Sequence, residues 1–352
     1  PIKHVWSPMP TPYTSSTVSS TVNSNTLNID ALLSGYKWGG VTGSQASVSF
    51  SFPWVNGASA IFSGPNGTAY SSNGEASATY HFGLNSVQQN AAINALQAWS
   101  SVANISFNQV SDTSTNVGDI RFAFTSASSI TQAWGYADYP DSYYPSAGDV
   151  WINSKYASEI DWSVGSYNYE AIMHEIGHAI GLKHPGNYNV GGGGEAPPYL
   201  PTTLDNRTET IMSYNDANNL FEKVIVNQNG TKSLDYIYVN PSTPMVLDIQ
   251  AIQYIYGANT TYHTGDDIYT FDPKTPFLKT IWDAGGNDTI SVYNFSTNCI
   301  IDLRPGHYST IAILSDNTSG INWVNPPLTP TYDNKPNLGI AYGSIIENAI
   351  GG

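Results

Sequence analysis

His174, Glu175, His178 and His184 stand close together in this 352-residue chain, the first three within the run His174-Glu175-Ile176-Gly177-His178. On a helix, residues four apart share a face, so the imidazoles of His174 and His178 can take two corners of one zinc tetrahedron. Glu175 directly follows the first of them and can reach a metal-bound water, whose proton it would accept during attack on a carbonyl. Gly181 lets the chain turn sharply and bring His184 back as the third corner. A lone histidine is usually a core or surface residue. Here that account would have to cover three histidines, a glutamate and a glycine at fixed spacing, in a chain with only 7 histidines. The pattern reads as a centre for metal-assisted attack on a carbonyl.

Those side chains need a helix to carry them, and the sequence predicts one from near Asn168 to Gly181. A second helix is predicted where Val87, Ala91, Ala95, Ala98 and Val102 recur at helical spacing behind the capping pair Asn85-Ser86. A third opens at Thr243-Pro244 and ends at Gly257. Alternation at Val48, Phe50 and Phe52, and again at Ile120, Phe122 and Phe124, predicts half-buried strands. Asn229-Gly230 between Lys223–Val226 and Leu234–Val239 predicts a hairpin. After Gly257 the texture changes to short β-rich runs, Ile268 to Phe271 and Asp288 to Val292, broken by Gly, Asn, Asp and Pro. The expected domains are therefore an α+β unit over residues 1–257 and an all-β unit over 258–352. The Ser-, Thr- and Pro-rich stretch through Ser24 is expected to run as an extended arm, and Gly191 to Gly194 as a low-complexity loop.

Composition narrows the function classes. With 12 Lys+Arg against 27 Asp+Glu, the net charge is -15, and no basic cluster exists to hold a nucleic acid. No run approaches the roughly 20 apolar residues that a membrane-spanning helix needs. A single cysteine, Cys299, rules out an intramolecular disulfide, so packing or bound metal must supply stability. Pro1 is not an initiator, so the sequence is expected to begin either after processing or at a boundary cut within a longer chain.

The stretch from His174 to His184-Pro185 resembles the metzincin zinc-binding sequence, and its proline ending resembles the serralysin branch. Ile211-Met212-Ser213-Tyr214 is similar to that family's Met-turn. The resemblance implies that Met212 forms an apolar floor under the imidazoles and that Tyr214 reaches the zinc. Tyr36-Lys37-Trp38, Ala98-Trp99-Ser100, Ala147 to Asn153 and His184 to Asn189 also look like serralysin landmarks, so the resemblance covers the chain from about Leu27 onward. Astacins, which resemble disulfide-bonded proteins, are disfavoured by the single cysteine.

Further along, Asp283-Ala284-Gly285-Gly286-Asn287-Asp288 resembles part of the family's calcium repeat, in which carboxylates alternating with glycine converge on a hard cation. Similarity around His263, Gly265 and Asp267, and at Glu347, implies that these residues join Asp283, Gly285, Gly286 and Asp288 in holding calcium. Two departures stand out. His263 and Asp267 replace the family's usual arginine and threonine, and the sequence stops at Ile350-Gly351-Gly352, where the family would begin a run of repeats.

The resemblance implies a zincin-like α+β catalytic domain followed by an all-β calcium-binding segment, the start of a β-roll or β-sandwich. It implies a secreted, bacterial, monomeric zinc endopeptidase that cleaves proteins or peptides, with Glu175 as base and Tyr214 as oxyanion donor. The Ala133 to Ala137 stretch is expected to be an edge strand that pairs with an extended peptide. Two rivals exist. One is a calcium-dependent adhesion or carbohydrate-binding module on an inactive scaffold, favoured by 24 tyrosines and 9 tryptophans but opposed by the intact catalytic positions. The other is a different zinc hydrolase, such as an amidase.

Overall fold

Asn85 caps the first long helix, Ser86–Val102, through a reciprocal box: its side chain accepts from the Gln88 N–H, and the Gln88 side chain accepts from the Asn85 N–H. Of the residues whose spacing predicts the helix, Ala91, Ala95 and Val102 are buried, joined by Leu96 and Trp99, whereas Val87 in the first turn is exposed and Ala98 only half-buried. The computed structural model describes residues 11–12, 16–64, 69–190, 192–321 and 332–352. Most of the expected N-terminal arm before Ser16, and Gly191 of the glycine-rich loop, lie outside the described residues. The chain is mixed α/β, with few helices and many strands, and packs as two compact units. One unit comprises Pro1–Trp162, Ala171–Tyr199 and Ala251–Ala258. The other comprises Ser163–Glu170, Leu200–Gln250 and Asn259–Gly352. The last passage between units falls at Ala258 and Asn259, beside the change of texture at Gly257.

The first unit is built on a six-stranded sheet. Its order is Ile105–Gln109, Ala46–Ser51, Ile120–Thr125, Val150–Asn153 and Gly135–Ala137, with His81–Gly83 also pairing to Ile120–Thr125. The first four strands run parallel to their neighbours, and Gly135–Ala137 runs antiparallel at the edge. Alternation predicted half-buried strands, but every residue of Ile120–Thr125 is buried, because a central strand of a largely parallel sheet is covered on both faces. Burial of Arg121 there is matched by a bidentate pair with Asp112, at 2.9 and 2.8 Å, while the guanidinium lies 3.7 Å over the Phe62 ring.

In the second unit, Leu220–Val226 and Lys232–Tyr238 form the expected hairpin, closed where Gly230 adopts φ +80°. Two small sheets follow. Ile268–Thr270, Thr289–Ser291 and Asn348–Ile350 pair in parallel. Lys279–Ile281 pairs in parallel with Leu338–Ile340, which pairs antiparallel with Tyr308–Ser309. Strands this short, two or three residues each, bury few side chains of their own.

Candidate metal centre

The helix Tyr167–Ala179 carries His174, Glu175 and His178. Its C-terminal end is closed by a Schellman motif: Leu182 N–H donates to Gly177 O at 2.9 Å, and Gly181 N–H to His178 O at 3.0 Å. Gly181 sits at φ +113°, and a Cβ there would stand 2.4 Å from Tyr36 O, so no other residue fits without displacing backbone. Beyond the turn the chain lies against residues 32–34, with Ser34 N–H donating to Gly181 O and Lys183 N–H to Leu32 O. His184 is returned toward the helix by this pairing. Two terminal carbonyls of the helix are capped from distant parts of the chain. Trp38 Nε1 donates to Ala179 O at 2.8 Å, and the Tyr256 hydroxyl donates to Ile180 O at 2.8 Å. Trp99 Nε1 donates to Met173 O, anchoring the helix again beside His174.

The Nε2 atoms of the three histidines converge. Their separations are 3.1 Å (His174 to His178), 3.0 Å (His178 to His184) and 3.3 Å (His174 to His184). Tetrahedral zinc with Zn–N bonds of about 2.05 Å places its ligand nitrogens about 3.3 Å apart, so the spacing suits that ion. The protonation pattern agrees. His178 Nδ1 lies 2.8 Å from Leu182 O, which can only accept, so the proton sits on Nδ1 and a lone pair remains on Nε2. Burial, then the neighbouring His184, lowers the His178 pKa to about 3, which keeps that imidazole neutral. His184 Nδ1 faces the carboxylate of Glu195 at 3.4 Å. Lone pairs aimed at one another repel, and a bound cation turns the repulsion into attraction.

Glu175 lies beside this cluster and beneath the edge strand: a Cβ placed on Gly135 would be 3.6 Å from both Glu175 Cγ and Oε1. Its Oε2 is buried without a hydrogen-bond partner, and burial pushes its carboxyl up to about 8. An enclosed carboxylate oxygen with no donor of its own is disposed to take a proton.

Met212 and Tyr214 belong to the second unit. Met212 is fully buried, whereas Tyr214 is 38% exposed. Their turn is organised by two acids. Asp248 accepts from the Thr210 hydroxyl at 2.5 Å and from the N–H groups of Ile211 and Met245, each at 2.8 Å. Asp205 accepts from the Ser213 hydroxyl at 2.6 Å.

The residues expected to hold calcium are also brought together, within the second unit. His263 Nδ1 is 2.8 Å from Asp267 Oδ2, and donor atoms of His263, Asp267 and Asp283 all lie within 4.8 Å of one another. Asp267 N–H donates to Asp288 Oδ1, and Asp288 N–H donates to Glu347 Oε2, both at 2.8 Å. Gly286 adopts φ +152°, and a Cβ on it would meet Gly265 O at 2.0 Å, so the close approach needs a glycine at 286, whereas a Cβ on Gly265 would meet nothing within 4 Å. Gly285 N–H donates to Asp283 Oδ1 at 2.9 Å. Asp288 is enclosed, and its Oδ2 has no hydrogen-bond partner. Burial, with the negative charges of Asp283 and Glu347 beside it, holds the Asp288 carboxyl above its usual range. A hard cation would relieve that strain. At His263 it is an imidazole nitrogen that faces Asp267, while the backbone oxygen accepts from the Ala284 N–H at 3.0 Å.

Sequence reasoning missed Glu195, Tyr139 and Asp248. Only Glu195 left a signal, as the single charged residue between His184 and Asp205.

Comparison with known proteins agrees with this geometry. Residues 76–189 match the family described as Matrixin, and residues 246–325 match that described as Peptidase M10 serralysin C terminal. The chain is 33% identical to Serralysin of Proteus mirabilis over 346 residues, covering 90% of this chain and 60% of that protein. It is 34% identical to Serralysin of Photorhabdus sp. (strain Az29), covering 76% of this chain and 52% of that protein. It is 32% identical to Metalloprotease AprA of Pseudomonas entomophila (strain L48), covering 76% and 51% respectively. The chain thus spans about half to three-fifths of the length of the relatives it matches. Both halves of the sequence point to the same place, and the chain belongs to the serralysin-type metzincins.

Proposed function

We propose that this chain is a secreted, monomeric zinc endopeptidase that hydrolyses peptide bonds of proteins. The observation that carries the reading is the convergence of three Nε2 atoms at 3.0 to 3.3 Å, with Glu175 next to His174 on the same helix and its Oε2 buried and unpartnered. His174, His178 and His184 would hold the zinc, which supplies a Lewis acid that polarises the scissile carbonyl and makes water a nucleophile near neutral pH. Glu175 takes the proton of the attacking water at Oε2 and then delivers it to the leaving amine. Gly135–Ala137, at the edge of its sheet, offers unpaired backbone groups to an extended peptide, which its position supports. Tyr214 donates its hydroxyl to the developing oxyanion, and Met212 serves as the floor of the histidine site, both by family resemblance.

Among the described residues no helix is long and apolar enough to cross a membrane. Secretion is carried over from the family. We read residues 1–257 as the catalytic domain and 258–352 as a calcium-stabilised segment that opens a β-roll, with His263, Gly265, Asp267, Asp283, Gly285, Gly286, Asp288 and Glu347 around the ion. The clustering of those acids and the parallel pairing of the short strands support it. The decisive experiment is digestion of casein by the purified chain, with and without a zinc chelator. Cleavage that stops with the chelator and returns with added zinc is expected. No cleavage by zinc-saturated protein, or cleavage indifferent to chelation, overturns the reading.

A further inference from the structure

Glu195 has no part in the mechanism above, yet it is fastened at several points. Its backbone carbonyl accepts the Tyr199 hydroxyl at 2.6 Å, and its Oε1 accepts the Tyr139 hydroxyl at 2.8 Å. The residue before it, Gly194, packs so closely that a Cβ there would stand 2.0 Å from Asn187 Oδ1. The side chain is only 10% exposed, although it follows a run of glycines. An acid that merely solvated a loop would need none of this.

The same Oε1 lies 3.4 Å from Nδ1 of His184. With the Tyr139 hydroxyl donating to the same oxygen at 2.8 Å, that oxygen is held facing the ring. An imidazole binds a metal only through a nitrogen that carries a lone pair. A carboxylate against Nδ1 keeps the proton there, leaves Nε2 free for the metal and makes that nitrogen more basic. At His178 the carbonyl of Leu182 plays the corresponding part, through the backbone. The Tyr139 ring also meets the His178 ring edge-on, with centroids 5.6 Å apart, so a single tyrosine aims Glu195 and braces a second ligand.

The geometry points to Glu195 as the positioning residue of the third ligand: its carboxylate, aimed by Tyr139, holds His184 in the tautomer and orientation that bind the metal. This rests on the zinc reading of the three histidines. Outer partners of this kind are worth roughly 10- to 100-fold in metal affinity.

The test is zinc affinity of the full chain, read by competition with a chromophoric chelator, beside the melting temperature of the metal-free protein. Glu195→Gln keeps shape and an acceptor oxygen but loses the charge, and should bind zinc roughly tenfold more weakly. Glu195→Ala should approach a loss of roughly a hundredfold, with the metal-free melting temperature unchanged. Tyr139→Phe should weaken zinc in the parent and have no further effect in the Glu195→Ala background, because it acts through that carboxylate. Affinity in Glu195→Ala within about twofold of the parent overturns the proposal. So does a loss matched by a fall in metal-free melting temperature, which would mark a packing residue. His184→Ala supplies the reference: zinc retained there at parental strength overturns the three-histidine reading itself, independently of Glu195.

Discussion

Asp248 presents a contest between two effects that can be separated by pH. Its carboxyl is fully buried, which favours the neutral acid, yet it faces the hydroxyl of Thr210 and two backbone N–H groups, which favour the anion. Burial wins, raising the folded-state pKa from 3.8 to about 7. The folded chain therefore keeps a proton that the unfolded chain releases. The associated stability is fully present below about pH 4 and is lost as pH rises through about 7. Between pH 5 and pH 8 those two pKa values correspond to roughly 2.5 kcal/mol. Asp248→Asn has no proton to release. Its carbonyl can still accept both N–H groups, which share Oδ2, but its amide nitrogen replaces the oxygen that accepts the Thr210 hydroxyl, and that lost acceptor costs about 1 to 3 kcal/mol at every pH. The stability gap between parent and variant should accordingly narrow by roughly 2.5 kcal/mol from pH 5 to pH 8, on top of a constant offset. Urea denaturation of both proteins at several pH values, with zinc and calcium held constant, measures it. Other titrating acids cancel in the difference. A gap that stays constant, or that widens with pH, would mean that the three donors prevail and the buried group is an anion.

Glu175→Gln should retain zinc and lose at least roughly a hundredfold in peptide hydrolysis, measured as metal content and turnover on the same preparation; turnover within tenfold of the parent contradicts the assigned base. Tyr214→Phe should slow turnover roughly a hundredfold, about 3 kcal/mol, with zinc still bound, and a change confined to KM would reduce Tyr214 to a packing residue. Calcium should raise the melting temperature in proportion to the logarithm of its concentration, and Asp288→Ala should flatten that response; equal shifts in the two proteins would leave Asp288 as a turn residue only.

The histidine cluster was legible because its determinants are local. Helical spacing puts His174 and His178 on one face, and a glycine past the helix end is the usual way to turn toward His184. The helices and the hairpin could be read for the same reason. The burial of Ile120–Thr125 could not, since alternation signals only a half-buried strand, and it is the distant Asp112, with Tyr70 and the Ile61 carbonyl, that lets Arg121 be buried there. Glu195 and Asp248 were missed because their roles depend on where a glycine-rich return and a separate helix come to rest, and no spacing rule reaches that far. The acids around Asp288 were recognisable by their glycines, while the imidazole side of His263 became visible only once the chain had brought Asp267 against it.

The caps on the histidine helix also bear on the order in which the chain acquires its shape. Ala179 and Ile180 are completed by Trp38, which precedes them by 141 residues, and by Tyr256, which follows by 76; the Trp38 N–H in turn donates to the Tyr256 hydroxyl across 218 residues. Contacts of such sequence separation form late, because long loops must close before they are rewarded. During synthesis a chain that has already made its three histidines still lacks the residue that finishes their helix. The cap on Ile180 is thus completed only after Tyr256 has emerged, and the histidine helix of a nascent chain lacks it while the polypeptide is still being made.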